Sequence, residues 1–178
     1  MLVQDTLSLE GDNPCHFFVM CDDAITHDQA MEVCGGILGR FGDELAFAFS
    51  FWKFNDLNDS ATAHWAAEAM ARADIILFCL PARDLTTEAA NWLDMCVQAR
   101  TKAEGALAVM VTEPHDMGLA VRALLSRLQY AAYRLRMDFL PLLPLRLGAD
   151  IEALAELSPA LLNRTREEPG SNHWGLNE

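Results

Sequence analysis

The chain has 178 residues, of which 52% are hydrophobic and 22% charged, and its mean hydropathy is +0.09. This composition excludes a disordered chain, and the length suits one compact domain with its own core. Asp and Glu number 26 against 13 Lys and Arg, so the net charge of −13 repels nucleic-acid phosphates and anionic lipid headgroups. We therefore expect neither a nucleic-acid-binding nor a membrane-surface protein.

The N-terminal segment and the cysteines predict a cytoplasmic location. Residues 1–13 contain three acidic and no basic residues, and they lack the apolar stretch of a signal peptide. Apolar runs such as 75–82 fall well short of the roughly 20 residues that cross a bilayer. The five cysteines form an odd set without a Cys-x-x-Cys pair, which indicates reduced thiols.

The first predicted elements are a strand and a glycine-containing helix. The apolar run 16–21 ends at Asp22 and Asp23, as expected of a buried strand that reaches a polar edge. Apolar residues at helical spacing predict a helix over 28–41 that ends at Gly42. Glycines inside this helix weaken it by roughly 1 kcal/mol each, so we expect close packing against a neighbour to compensate. These glycines are Gly35, Gly36 and Gly39.

The middle of the chain predicts two more strands around an alanine-rich helix. The aromatic segment 45–54 has the composition of a strand. Residues 58–60 offer N-caps for a helix over 61–73. The continuously apolar run 75–80 stops at Pro81, which is typical of a central parallel strand covered on both faces. Trp52 and Trp65, in these segments, are interpreted as core residues.

The second half continues the alternation. Thr86 or Thr87 caps a helix that extends to about residue 102, and 106–111 is the fourth predicted strand. A long amphipathic helix is predicted over 117–136, followed by an edge strand over 139–143, where Pro141 is tolerated.

The C-terminal part completes the predicted domain. Leucines at helical spacing predict a closing helix over about 151–162, and 169–178 is predicted to be a loose tail. We therefore predict a single α/β domain over 1–168. Its fold class is a three-layer, doubly wound, five-stranded parallel sheet of (βα)5 order. Ligands bind such sheets at the carboxyl ends of the strands. The polar residues of that edge selected by the rule are Asp22, Asp23, Asn55, Asp56, Arg83, Asp84, Thr112, Glu113 and His115.

Over 17–162, element order and a few positions resemble the response-regulator receiver domain, which has a flavodoxin-like fold. Asp22 and Asp23 look like the acidic pair that holds Mg²⁺ in that family, and Thr112 falls where the family carries a switching Ser or Thr. The phosphate-accepting aspartate is missing, because Leu77 and Phe78 stand four and three residues before Pro81. The resemblance implies a degenerate receiver that forms no aspartyl phosphate at the usual place.

The candidate metal site is the Asp22–Asp23 pair. Asp84 or Glu113 adds oxygen ligands if Mg²⁺ binds there. The competing interpretation is that these carboxylates solvate a loop and cap a helix. No resident cofactor is predicted. The turn at 22–27 lacks glycine and carries two carboxylates, which disfavours a flavin phosphate, and neither a Walker A nor a G-x-G-x-x-G motif occurs.

Catalysis is the less favoured class, and no spacing of residues supports a catalytic triad. His115 is the candidate general base, and Glu88 is the carboxylate for an enzyme resembling TIR domains or deoxyribosyltransferases. Both residues have simpler interpretations, His115 as a solvated loop residue and Glu88 as a favourable charge in a first helical turn.

The arginines of the predicted helix 117–136 contrast with the acidic chain. One interpretation is an interface with a protein partner or a second copy of this chain, and the receiver resemblance places such surfaces near this helix. The other is internal pairing with Glu152 and Glu156, or a solvated face. The interface candidates are Arg122, Arg127, Tyr133 and Arg134. We predict a non-enzymatic, receiver-like interaction module, with small-molecule or nucleotide chemistry at the strand-end edge as the alternative.

Overall fold

A computed structural model describes residues 7–8, 13–112 and 118–142. Within these residues, six strands alternate with four α-helices and one 3-10 helix. The strands are β1 (Leu7–Ser8), β2 (Cys15–Cys21), β3 (Phe47–Lys53), β4 (Ile75–Pro81), β5 (Ala106–Thr112) and β6 (Asp138–Leu142). The helices are α1 (Ala24–Phe41), α2 (Ser60–Arg72), α3 (Thr87–Ala99) and α4 (Leu119–Leu135), and the 3-10 helix is Phe54–Asn58.

The sheet has the strand order β1-β3-β2-β4-β5-β6. The five strands from β2 to β6 pair in parallel, which confirms the predicted parallel sheet, and β6 lies at its edge. The two-residue β1 adds an antiparallel strand beside β3. The sequence analysis missed β1, because two residues are too few to show an alternating pattern.

The sheet separates two cores, as alternating side chains of a parallel strand require. Helices α2, α3 and α4 cover one face, where Phe18, Phe78 and Leu124 are fully buried. Helix α1 covers the other face over Val19 and Leu77. The central strands β2 and β4 are therefore buried on both sides, which explains their continuous apolar runs.

Helix α1 begins four residues before the predicted start. Asp23 is its N-cap, and the Thr26 N–H donates to Asp23 Oδ1 at 2.8 Å. The Thr26 hydroxyl oxygen accepts from the backbone N–H of Asp23 at 2.8 Å. This capping box, with threonine in place of the usual glutamate, lets the helix start directly after β2.

Close packing against a neighbouring element does not explain two of the glycines in α1, Gly35 and Gly39. Among the described residues, no atom outside the helix lies within 4 Å of a Cβ built on Gly35 or Gly39, and both glycines are exposed. The expected close neighbour is therefore wrong for these two positions.

Arg100, the residue after α3, links the segments that precede β4 and β5, at the end of the sheet where these strands begin. Its guanidinium donates to the carbonyl oxygens of Met70 and Ala73 at 3.1 and 3.0 Å, at the end of α2. It also donates to the Glu104 carbonyl at 2.9 Å. Nearby, the buried Asp74 is ion-paired with Lys102. The Met70 carbonyl also accepts the Ala73 N–H at 3.3 Å, whereas the Ala73 carbonyl lies beyond the last turn of α2.

The predicted closing helix and the tail lie outside the described residues, so the domain boundary at 168 stays a prediction. No helix within 13–112 or 118–142 combines the length and apolar character that a bilayer crossing requires.

Candidate functional site

The carboxyl ends of the parallel strands form one edge, as predicted. Pro81 of β4 stands beside Thr112 of β5 in the strand register, and Cys21 at the end of β2 stands beside Cys79. Asp22 and Thr112 therefore lie at the same edge of the sheet. Thr112 itself is buried.

A cleft of about 250 Å³ opens at this edge beside the start of α3. Phe54 and Trp92, whose rings meet edge-to-face, belong to its apolar floor. Asn55, Asn58 and Thr86 belong to its polar rim. Charged groups of both signs also line the cleft, namely Asp22, Arg83, Asp84 and Glu88. The cleft thus brings together five predicted edge or catalytic residues, namely Asp22, Asn55, Arg83, Asp84 and Glu88.

Asp22 is ion-paired with Arg83 across the cleft. The pair joins the loop after β2 to the loop after β4, the two strands at which the order of the sheet reverses. The carboxylate is largely buried while the guanidinium is mostly exposed. Arg83 therefore neutralises the charge that the sequence analysis assigned to a metal.

Asp23 lies outside the lining of the cleft and caps α1. The hydrogen bond from the Thr26 backbone N–H is the main cause that lowers the pKa of Asp23, and the Thr26 hydroxyl adds to it. The Thr26 hydroxyl oxygen also accepts from the Asp22 N–H at 2.9 Å. Several backbone donors at the start of α1 are thus occupied by the chain's own side chains.

Metal binding by Asp22 and Asp23 stays a prediction. Within the described residues there is no group of three or more His, Cys, Asp or Glu side chains arranged to hold an ion. Glu113 and His115 lie outside those residues, so their predicted roles stay predictions. Asp22 and Asp23 are engaged by Arg83 and by the α1 cap, the helix-capping alternative that the sequence analysis raised.

The buried thiols are poor nucleophiles. Burial raises the pKa of Cys21, Cys34 and Cys96 to about 12, and it raises that of Cys79 further. The thiolate is the reactive form of cysteine, so these residues act as core side chains.

The outward face of α4 is the second candidate surface. Leu119, Tyr130 and Tyr133 are exposed by 86%, 62% and 79%, and α4 contains no acidic residue. We call Leu119, Tyr130 and Tyr133, with the flanking Arg122, Arg127 and Arg134, the α4 ridge. The four interface candidates of the sequence analysis belong to it. Leu119 and Tyr130 were missed, although both fall on the solvent side of the helical pattern.

Two arginines of the α4 ridge pair with acidic residues near α3. Arg127 Nε lies 3.4 Å from Asp84 Oδ1, and Arg134 Nη1 lies 3.1 Å from Asp94 Oδ1. The predicted partners, Glu152 and Glu156, lie outside the described residues. Internal pairing therefore exists, with aspartates that the helical pattern did not single out.

Trp65 corrects a further expectation. Trp52 is buried as expected, whereas Trp65 of α2 is 49% exposed. It occupies the outer side of an alanine-rich helix whose inner side carries Ala66 and Met70.

No protein-family model matches this chain, and no curated protein matches its sequence significantly. Among solved structures, a short-chain flavodoxin associated with a non-canonical PDU bacterial microcompartment has 14% sequence identity and a TM-score of 0.52, over 81% of this chain and 98% of that one. The flavodoxin-like domain of a Synechococcus protein has 14% identity and a TM-score of 0.48, over 85% and 99%. General stress protein 14 of Treponema denticola, in complex with FMN, has 13% identity and a TM-score of 0.47, over 85% and 99%. The fold is thus flavodoxin-like, and the likeness extends to the fold alone.

Proposed function

We propose that this chain is a non-catalytic interaction module whose α4 ridge binds an acidic, amphipathic helix of a protein partner. The observation that carries the proposal is the exposure of Leu119, Tyr130 and Tyr133 on a helix without acidic residues. Tyrosine and arginine are enriched in the centres of protein interfaces, and large apolar side chains are costly to leave in water.

The charges around the ridge favour an acidic partner. Asp84 and Asp94 neutralise part of the arginine charge, but the α4 ridge carries three arginines (Arg122, Arg127 and Arg134) and no acidic residue, in a chain of net charge −13. Ion pairs at such exposed positions contribute only about 0–1 kcal/mol. The arginines can therefore exchange their aspartates for carboxylates of a partner at little cost.

The residues at the start of α1 do not favour binding of the phosphate of flavin mononucleotide, the cofactor of flavodoxins. A bound phosphate takes its hydrogen bonds from backbone N–H groups at a helix N-terminus. Here Asp23 accepts the Thr26 N–H, and Thr26 accepts the N–H groups of Asp22 and Asp23. The carboxylate of Asp23 also repels a phosphate.

Phosphoryl signalling of the receiver type lacks its acceptor in this chain. Leu77 and Phe78, at the positions of the resemblance, are buried within β4. We therefore propose only that this chain, like a receiver domain, recognises a partner through a helical face, without phosphoryl transfer.

The test is a binding titration with a labelled helical peptide that has leucines on one face and flanking glutamates. A peptide of the same composition in scrambled order serves as the control probe. We expect Tyr130→Ala and Tyr133→Ala each to weaken binding by about 2 kcal/mol, roughly thirtyfold in Kd. Trp65→Ala, which removes an exposed aromatic residue from α2, is the matched control and should leave Kd unchanged. Equal affinity for both peptides, or equal effects of the three substitutions, contradicts the proposal.

A second candidate function is supported by the cleft, which offers an apolar floor and polar rim of the kind that small ligands use. In this alternative Glu88 contacts a small polar ligand or a nucleoside. A thermal-shift screen with Mg²⁺, FMN, nucleosides and nucleotides tests it, because a ligand of the native state raises the apparent stability. A shift that Glu88→Gln abolishes and Tyr133→Ala leaves intact favours the cleft over the α4 ridge.

A further inference from the structure

Helix α1 presents a second exposed row of unusual composition. Asp28, Glu32, Gly35 and Gly39 follow one another at spacings of four, three and four residues, and all are exposed. No described atom outside the helix lies within 4 Å of a Cβ built on either glycine. Each glycine weakens α1 relative to alanine, and no described neighbour requires the missing side chain at these two positions. We call these four residues the α1 groove.

The α4 ridge has the complementary pattern. Leu119, Ala123, Ser126, Tyr130 and Tyr133 follow at spacings of four, three, four and three residues, and all are exposed. Rows with this spacing pack as knobs into holes when two helices lie side by side. The ridge carries large side chains where the groove has none, and basic residues flank it where the groove is acidic.

The two rows also match in register when α1 and α4 are aligned in parallel. With Tyr133 placed beside Gly39, Tyr130 comes beside the half-buried Gly36, one residue after Gly35. The same offset places Leu119 beside Ile25, which is 61% exposed. Arg122 then falls beside Asp28, an opposite charge, whereas Arg134 falls beside Arg40, so the charges match at the start of α1 and not at its end.

We propose that the acidic helix recognised by the α4 ridge is α1 of a second copy of this chain. The inference rests on the proposed function, and it adds the identity of the partner surface. Two α4 helices are a poor pair, because neither carries an acidic residue. Helices α1 and α4 lie on opposite faces of the sheet, so the contact is head-to-tail and leaves one groove and one ridge open at the ends of every assembly.

Complementation between two variants tests the inference. The ridge variant carries Tyr130→Glu and Tyr133→Glu, and the groove variant carries Gly35→Gln and Gly39→Gln. We expect wild-type protein to associate increasingly with concentration in sedimentation velocity, and each variant alone to remain a monomer. An equimolar mixture should form a dimer of twice the monomer mass that grows no further, because each variant retains one intact surface. Circular dichroism of each variant confirms that it is folded.

Other outcomes separate this inference from the proposed function. A groove variant that still dimerises beside a monomeric ridge variant indicates ridge-to-ridge pairing and overturns the α1 contact. A wild-type chain that stays monomeric at millimolar concentration, yet binds the acidic peptide through Tyr133, overturns self-association and leaves the proposed function standing. Failure of both assays removes both proposals.

Discussion

The guanidinium carbon of Arg134 lies 5.8 Å from the centroid of the Tyr130 ring, one turn earlier on α4. The same guanidinium donates a hydrogen bond from Nη1 to Asp94 Oδ1 of α3 at 3.1 Å. The contact between Arg134 and the Tyr130 ring lies within α4, so it does not depend on the pairing of Arg134 with Asp94. A side chain that is already ordered loses less conformational entropy on binding, which suits Tyr130 to a contact role.

The Arg134–Asp94 pair should matter little for folding. Both side chains are exposed, so a double-mutant cycle with Arg134→Ala and Asp94→Ala should give a coupling free energy of less than about 1 kcal/mol in chemical denaturation. A coupling of several kcal/mol would show that the pair is structural and argue against its release for a partner.

Substitution by alanine should change the free energy of unfolding in opposite directions at Gly39 and at Gly105. Gly39→Ala should raise the free energy of unfolding by about 1 kcal/mol, because the position is helical and open. Gly105→Ala should lower it by more than about 2 kcal/mol, since Gly105 has φ +128° and a Cβ there would lie 2.4 Å from the Asp74 carbonyl oxygen. Urea denaturation of monomeric protein measures both changes, and a destabilising Gly39→Ala would mean that this glycine serves the fold of the single chain.

Asp23→Ala should cost about 1 kcal/mol of stability at neutral pH through loss of the α1 cap. The pKa of Asp23 is lower in the folded chain, so its contribution is complete above the unfolded pKa and is lost as pH falls through the folded value. The stability difference between wild type and Asp23→Ala should therefore shrink in acid. Asp23→Asn, which keeps a capping oxygen, is the control and should retain most of the stability. A difference that is constant from neutral to strongly acidic pH contradicts this account.

Arg100→Met should destabilise the fold by about 2–3 kcal/mol, because it removes the guanidinium that donates to the Met70 and Ala73 carbonyls at the end of α2 and to the Glu104 carbonyl. Gln98→Met, at an exposed position of α3, should change stability by less than about 0.5 kcal/mol. Thermal and urea denaturation measure both variants, and similar effects at the two positions would disprove the role of Arg100.

The thiols should divide into two classes towards a disulfide reagent. Cys15 is half-buried and should react in native buffer, whereas Cys21, Cys34, Cys79 and Cys96 should react only on unfolding. Burial raises the pKa of these four thiols and also blocks access. Rapid reaction of a second thiol in the native state would contradict the described packing.

The parallel sheet was predictable because its signals are local. The runs at 16–21 and 75–80 are apolar on both faces, and Asp59 and Thr86 stand at helix starts where they act as N-caps. The edge that holds Asp22 and Thr112 followed from the rule that parallel strands end on one side.

Contacts between distant segments were not predictable. The pairing of Asp22 with Arg83 joins residues 61 positions apart, and that of Arg134 with Asp94 joins residues 40 apart. No periodicity marks such pairs, so the sequence identified the arginines of α4 without their partners. The exposure of Trp65 was missed for a related reason, since its side of α2 depends on tertiary packing.

The most direct test of the α4 ridge is an amide chemical-shift titration of the labelled protein with the acidic helical peptide. Our account predicts perturbations concentrated in α4, around Tyr130 and Tyr133, that weaken as salt screens the arginines. Perturbations centred on the cleft, at Arg83 and Glu88, or none at saturating peptide, would contradict it.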